Sequence, residues 1–190
     1  MGVAALTAPK RRAVFFDRDG VLNRAIVRDR KPYAPMTLEE FELIPNASED
    51  LKRLRDLGLL AIVVSNQPDI GRGTQAAGAV EEMNAILRQE LPLDDIFICP
   101  HDDAVGCNCR KPKPGLLFRA AKKYGLELSR CFMVGDRWRD MDAGRSAGCA
   151  TILIDFDYDE RSPAETPTRR VSSLREAVDS IVRQVRADCR

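Results

Sequence analysis

The sequence predicts an α/β fold, a doubly wound and mostly parallel five-stranded sheet, on three observations. Five short apolar runs lack polar alternation, as strands covered on both faces do. Helix-like segments lie between them, and glycines close three of these before the next strand begins. Carboxylates, amides and a lysine cluster just after the runs, at the edge where open α/β sheets bind ligands.

The runs occupy residues 13–16, 59–64, 96–99, 131–134 and 151–154. The first is Ala13-Val14-Phe15-Phe16, apolar without a break. Helical patterns cover 47–57, 76–89, 114–124 and 140–146, with Gly58, Gly125 and Gly148 at the stop positions of the first, third and fourth. From 161 to 167 the chain turns polar and carries Pro163 and Pro167, as an exposed connector does. Ser173-Leu174-Arg175-Glu176 then offers a capping box, and Leu174, Val178, Ile181, Val182 and Val185 recur at helical spacing. This predicts a terminal helix over about 172–186 that packs on the sheet. The expected organisation is one domain over 11–190, a flexible segment over 1–10, and no separate cap domain, because the connections between the strand motifs are short.

Composition excludes several function classes. Among 190 residues, Lys and Arg total 30 against 29 for Asp and Glu, so no global field recruits nucleic acid or a membrane. No apolar stretch approaches the ~18 residues that span a bilayer, and residues 1–12 hold no signal-peptide core. The expectation is a cytoplasmic monomer acting on a small molecule.

The chemistry-bearing residues follow the strands. Asp17-Arg18-Asp19-Gly20 places two acids at spacing i, i+2 directly after the first run. One can act as nucleophile while the other moves a proton, and both can help hold a hard cation such as Mg²⁺. Ser65-Asn66-Gln67 follows the second run with a hydroxyl and two amides, Arg110-Lys111-Pro112 leads into a helix, and Gly135-Asp136-Arg137-Trp138-Arg139-Asp140 follows the fourth run. Groups leaving one edge of a parallel sheet converge in space. Together they supply what phosphoryl transfer requires: carboxylates for a cation, donors for phosphate oxygens, and a lysine.

A second constellation is Cys99-Pro100-His101, five residues, then Cys107-Asn108-Cys109. Three thiolates and one imidazole make a closed tetrahedral zinc set, structural because no coordination position is left open. The predicted zinc loop, 99–109, is inserted immediately before Arg110 and Lys111 and would fix how they are aimed. Cys131 and Cys149 adjoin apolar segments and read as buried packing residues.

With these four motifs in order from Val14 to Asp140, the chain resembles the haloacid dehalogenase-like phosphohydrolases. The resemblance implies Asp17 as nucleophile, forming an aspartyl-phosphate, and Asp19 as the acid that protonates the leaving oxygen. It implies Ser65 and Lys111 as holders of the transferring phosphoryl group. Mg²⁺ would be bound by Asp17, Asp136 and the backbone carbonyl of Asp19, with Asp140 as a supporting acid.

The zinc loop narrows the resemblance to a subgroup that contains histidinol phosphatases and heptose bisphosphate phosphatases. The loop Ser65-Asn66-Gln67-Pro68-Asp69-Ile70-Gly71-Arg72-Gly73 and the asparagine of Asp19-Gly20-Val21-Leu22-Asn23 are similar to the heptose group. Asn23, Asn66, Gln67, Arg72, Arg110 and Arg137 are then the expected substrate-binding residues, the arginines neutralising a second phosphate that is not cleaved. The five-residue gap between His101 and Cys107 matches the histidinol phosphatase loop, which keeps that activity as the alternative. A polynucleotide phosphatase is opposed by the near-zero net charge. A non-catalytic zinc-stabilised binding module is opposed by the intact set Asp17, Asp19, Lys111 and Asp136.

Overall fold

The computed structural model describes residues 11–188. The segment expected to be flexible, 1–10, lies outside the described residues. β1 (Ala13–Phe16) leads through a hairpin, β2 (Ile26–Arg28) and β3 (Lys31–Tyr33), to α1 (Ala47–Arg55). β4 (Leu60–Asn66), α2 (Pro68–Arg72), α3 (Ala77–Glu90) and β5 (Asp95–Cys99) follow. The chain continues through α4 (Gly115–Tyr124), β6 (Phe132–Gly135), α5 (Trp138–Ser146), β7 (Ala150–Ile154), β8 (Arg169–Val171) and α6 (Leu174–Asp188).

The main sheet has the order β5-β4-β1-β6-β7-β8, with every pair parallel. The side-chain alternation of a strand divides the core in two. Val14 and Phe16 face one layer with Ala61, Val63 and Val134, covered by Leu51 and Leu54 of α1 and by Leu174, Val178 and Ile181 of α6. Ala13 and Phe15 face the other with Ile62, Val64 and Met133, covered by Leu116, Leu117 and Ala120 of α4 and Ala143 of α5. Both faces are thus apolar, which is why the strands read as unbroken runs. Cys131 and Cys149 are buried in the second layer.

The sheet has six strands where five were expected. The sixth, Arg169-Arg170-Val171, pairs with Ile152–Ile154 at the sheet's edge. Its two arginines are exposed, so no apolar run announced it. The hairpin was also unannounced: Asp29 and Arg30 turn with φ of 48° and 59°, a primed-type turn made without the usual Asn-Gly or Asp-Gly. Arg30 fastens the hairpin to the far side of the sheet, donating to the Asp157 carbonyl at 3.0 Å and receiving the Asp159 N–H at 2.9 Å on its own carbonyl. Gly58, Gly125 and Gly148 take positive φ after their helices. No helix among the described residues is long and apolar enough to cross a membrane.

β1 lies between β4 and β6, so the chain order reverses beside it. A crevice opens at such a switch point, outside the carboxyl ends of the strands. All four motifs leave the sheet there.

Candidate active site

The ladder between β1 and β6 extends one residue further, with the Asp17 N–H donating to the Val134 carbonyl at 2.9 Å. Asp17 therefore leaves the sheet with a fixed backbone. Its Oδ1 accepts from the Arg18 N–H at 2.7 Å and lies 2.8 Å from Lys111 Nζ. The same ammonium lies 2.5 Å from Asp140 Oδ1. Asp140 in turn caps α5, its Oδ2 accepting from the Arg137 N–H at 3.1 Å. One buried lysine thus ties the first motif to the fourth.

Asp136 completes this cluster. Carboxylate oxygens of Asp17, Asp136 and Asp140 all lie within 4.8 Å of one another, and all three residues are buried. A single ammonium touches two of the three carboxylates, Asp17 and Asp140, so negative charge is left in excess. Burial, aggravated by Asp140 and Asp19 and opposed by Lys111, pushes the Asp17 carboxyl up to about 6. Burial and the Asp17 charge push Asp136 well above the carboxylate range. Neither Asp136 oxygen has a hydrogen-bond partner of normal geometry. Gly20 lies so close that a Cβ there would stand 2.0 Å from Asp136 Oδ2, and its φ is +85°. Glycine alone meets both demands. Oxygen-rich, under-neutralised and partnerless, the cluster fits a hard divalent cation.

Asp19 lies apart from this cluster, with its side chain turned among donors. Oδ1 accepts from Arg18 Nε and Asn23 Nδ2, both at 3.0 Å; Oδ2 accepts from Gln67 Nε2 at 2.8 Å and Arg18 Nη2 at 3.2 Å. Asn23 and Gln67, expected at the substrate, are instead buried beneath the site at 0% and 1% exposure. Gln67 also reaches Ser65 Oγ at 2.9 Å. Asn66 clasps the backbone of Lys111, its amide donating to the Lys111 carbonyl and its oxygen accepting the Lys111 N–H, both at 3.0 Å. This joins the end of β4 to the lysine loop.

Above the carboxylates lies a cleft of about 280 Å³ lined by Asp17, Asp19, Asn66 and Lys111, with hairpin residues Pro32 and Tyr33 on one side. Arg72, Arg110 and Arg137 line it, as does Arg139. Each expected arginine already holds a carboxylate. Arg72 pairs with Asp102 and Asp69, and Arg137 pairs with Glu160. Arg110 forks onto Asp103 at 2.7 and 3.1 Å, and Arg139 reaches the same aspartate at 3.5 Å.

Cys99, His101, Cys107 and Cys109 converge beside the cleft. Cys109 Sγ is 3.2 Å from Cys99 Sγ, 3.4 Å from Cys107 Sγ and 3.3 Å from His101 Nδ1, and Cys99 Sγ is 3.6 Å from Cys107 Sγ. Vertices of a tetrahedron with metal–sulfur bonds of about 2.3 Å stand about 3.8 Å apart, so the set fits one soft divalent ion. The loop is packed to α2, where a Cβ on Gly71 would meet the Pro100 carbonyl at 2.5 Å.

Sequence reasoning missed Arg18, Asn84, Asp103, Arg139 and Glu160. Asn84 left a readable sign: it shares a helix face with the buried Val80, Met83 and Leu87, so a polar group there needs a partner inside.

A doubly wound sheet with a carboxylate–lysine cluster at its switch point fits a haloacid dehalogenase-like hydrolase. A family model described as HAD-hydrolase-like matches residues 108–177. The D-glycero-beta-D-manno-heptose-1,7-bisphosphate 7-phosphatase of Pseudomonas aeruginosa is 38% identical over 76% of this chain and 81% of its own. The corresponding alpha enzyme of Photorhabdus laumondii is 35% identical over 82% and 89%. The crystal structure of the D,D-heptose 1,7-bisphosphate phosphatase of B. bronchiseptica, complexed with magnesium and phosphate, superposes with a TM-score of 0.76. It is 26% identical and covers 92% of this chain and 99% of its own. The chain belongs to the family of heptose-1,7-bisphosphate 7-phosphatases and is a phosphatase.

Proposed function

We propose that this phosphatase removes the 7-phosphate of a D-glycero-D-manno-heptose 1,7-bisphosphate and leaves the anomeric phosphate in place. The observation that carries the reading is the contact of Asp17 with Lys111 inside a buried carboxylate cluster, beneath a cleft rimmed by arginines. Because Lys111 and the Arg18 N–H occupy Oδ1, the other oxygen of Asp17 is the one that attacks phosphorus. The bond from phosphorus to the sugar oxygen breaks, Asp19 gives that oxygen a proton, and an aspartyl-phosphate forms. Asp19 then takes a proton from water, which attacks phosphorus, frees inorganic phosphate and regenerates Asp17.

Ser65 and Lys111 hold the transferring phosphoryl oxygens, while Asn66 fixes the lysine loop and Asn23 and Gln67 orient Asp19. Mg²⁺ held by Asp17, Asp136 and the Asp19 carbonyl would offset the charge gathered around the phosphoryl group, Asp140 supporting through Lys111. Zn²⁺ on Cys99, His101, Cys107 and Cys109 would fix the loop that presents Asp102, Asp103 and Arg110. Arg72, Arg110 and Arg137 face the phosphate that stays. Cytoplasmic residence fits Cys99, Cys107, Cys109, Cys131 and Cys149, none of which is in a disulfide. The reaction needs no second chain, since one chain supplies every group named.

The test is the position of cleavage. Phosphorus NMR of the product, after Mg²⁺-dependent turnover of the bisphosphate, is expected to retain the anomeric phosphate signal and lose the primary one. Loss of the anomeric phosphate contradicts the reading.

A further inference from the structure

A guanidinium is buried beside the two reactive carboxylates. Arg18 is wholly buried, a costly place for a charge unless it is paired and hydrogen-bonded on several sides. Its Nε and Nη2 fork onto the two oxygens of Asp19 at 3.0 and 3.2 Å. Nη1 donates to Asn84 Oδ1 at 3.4 Å, on the buried face of α3, and the Phe41 ring centroid lies 5.9 Å from the guanidinium carbon. Adding Asn23 and Gln67, each Asp19 oxygen accepts two hydrogen bonds. That fills the ~four acceptor positions of a carboxylate.

We infer that Arg18 is a positioning residue for Asp19, anchored by Asn84, and that its fork fixes the plane of the carboxylate at the wall of the cleft that Asp19 lines. This rests on reading Asp19 as the proton donor. When the bond between phosphorus and the leaving oxygen breaks, its electron pair stays on that oxygen, which takes the Asp19 proton. The four donors fit the carboxylate left behind; to carry the proton beforehand, Asp19 gives up one of its two amide hydrogen bonds, from Asn23 or Gln67, while the Arg18 fork keeps it in place. An exposed Arg–Asp neighbour pair would be loose and nearly without energetic weight. This one is closed in by α3, Phe41 and the glutamine loop.

Leaving groups distinguish positioning from mere packing. An ester with a good leaving group, p-nitrophenyl phosphate, needs little protonation, whereas phenyl phosphate needs more. General acid catalysis is worth ~10²–10⁴-fold. In Arg18→Met, kcat/KM for phenyl phosphate is expected to fall by ~10²-fold and that for p-nitrophenyl phosphate by less than ~5-fold. Asp19→Asn should show the same selectivity, and Arg18→Met should add little on that background. An equal fall with both esters, or full additivity with Asp19→Asn, overturns the inference. If Asp19→Asn is itself unselective, the reading of Asp19 as proton donor fails first. If Arg18→Met does not fold, Asn84→Leu carries the test: selective loss supports the inference and uniform loss overturns it.

Discussion

At the scale of single residues, the site is a problem in charge. Asp17 and Asp140 flank one ammonium, with Asp136 crowded beside them, in a space that solvent hardly reaches. Asp17→Asn removes one of those charges and, in the proposed reading, the attacking oxygen together. It is expected to lower kcat by at least ~10³-fold while leaving the thermal midpoint unchanged or raised, since a neutral amide relieves the crowding. Substantial residual turnover in a pure preparation would contradict the nucleophile assignment. The gathering of Asp17 and Asp136 at one sheet edge was legible because charged groups directly after apolar runs have few structural reasons to be there. Arg18 and Asn84 were not legible as partners, because their link crosses 66 residues and forms only when α3 packs beneath the first loop. The burial of Asn23 and Gln67 was not legible for a related reason: sequence marks an amide near a site but not whether it faces the cleft or the core.

At the scale of elements, the zinc loop and α2 form one rim. Gly71 donates its N–H to the Pro100 carbonyl at 2.9 Å, Arg72 pairs with Asp102, and Arg110 with Asp103. Arginines from both segments are thus held by carboxylates whose positions depend on the loop's closure. Cys107→Ser is expected to reduce zinc below one ion per chain by elemental analysis. KM should rise by about tenfold with a smaller change in kcat, because Lys111 keeps its own clasp by Asn66. Unchanged zinc content would contradict the four-ligand set. The convergence of Cys99, His101, Cys107 and Cys109 was legible from residue type and spacing alone. The pairings of Arg72, Arg110 and Arg137 were not, since surface aspartates such as Asp102 and Asp103 carry no periodic signal. β8 and the hairpin escaped for a like reason: short edge strands with polar faces lack the apolar runs that announced the interior strands.

At the scale of the molecule, one sheet edge gathers four motifs that span residues 17 to 140, and a small arginine-rimmed cleft stands above them. Near-neutral overall charge confines attraction for anions to that rim. Two phosphates on one sugar match it in the proposed reading: one would seat over Asp17 and the other would meet the arginines. A monophosphate such as histidinol phosphate offers the arginines no second phosphate. The deciding measurement is kcat/KM with Mg²⁺ for both anomers of D-glycero-D-manno-heptose 1,7-bisphosphate and for histidinol phosphate, taken side by side. At least one heptose anomer is expected to exceed histidinol phosphate by ~10²-fold or more, about the discrimination that a lost charge-assisted phosphate contact gives. A preference for histidinol phosphate would contradict the account and place the arginines outside substrate recognition.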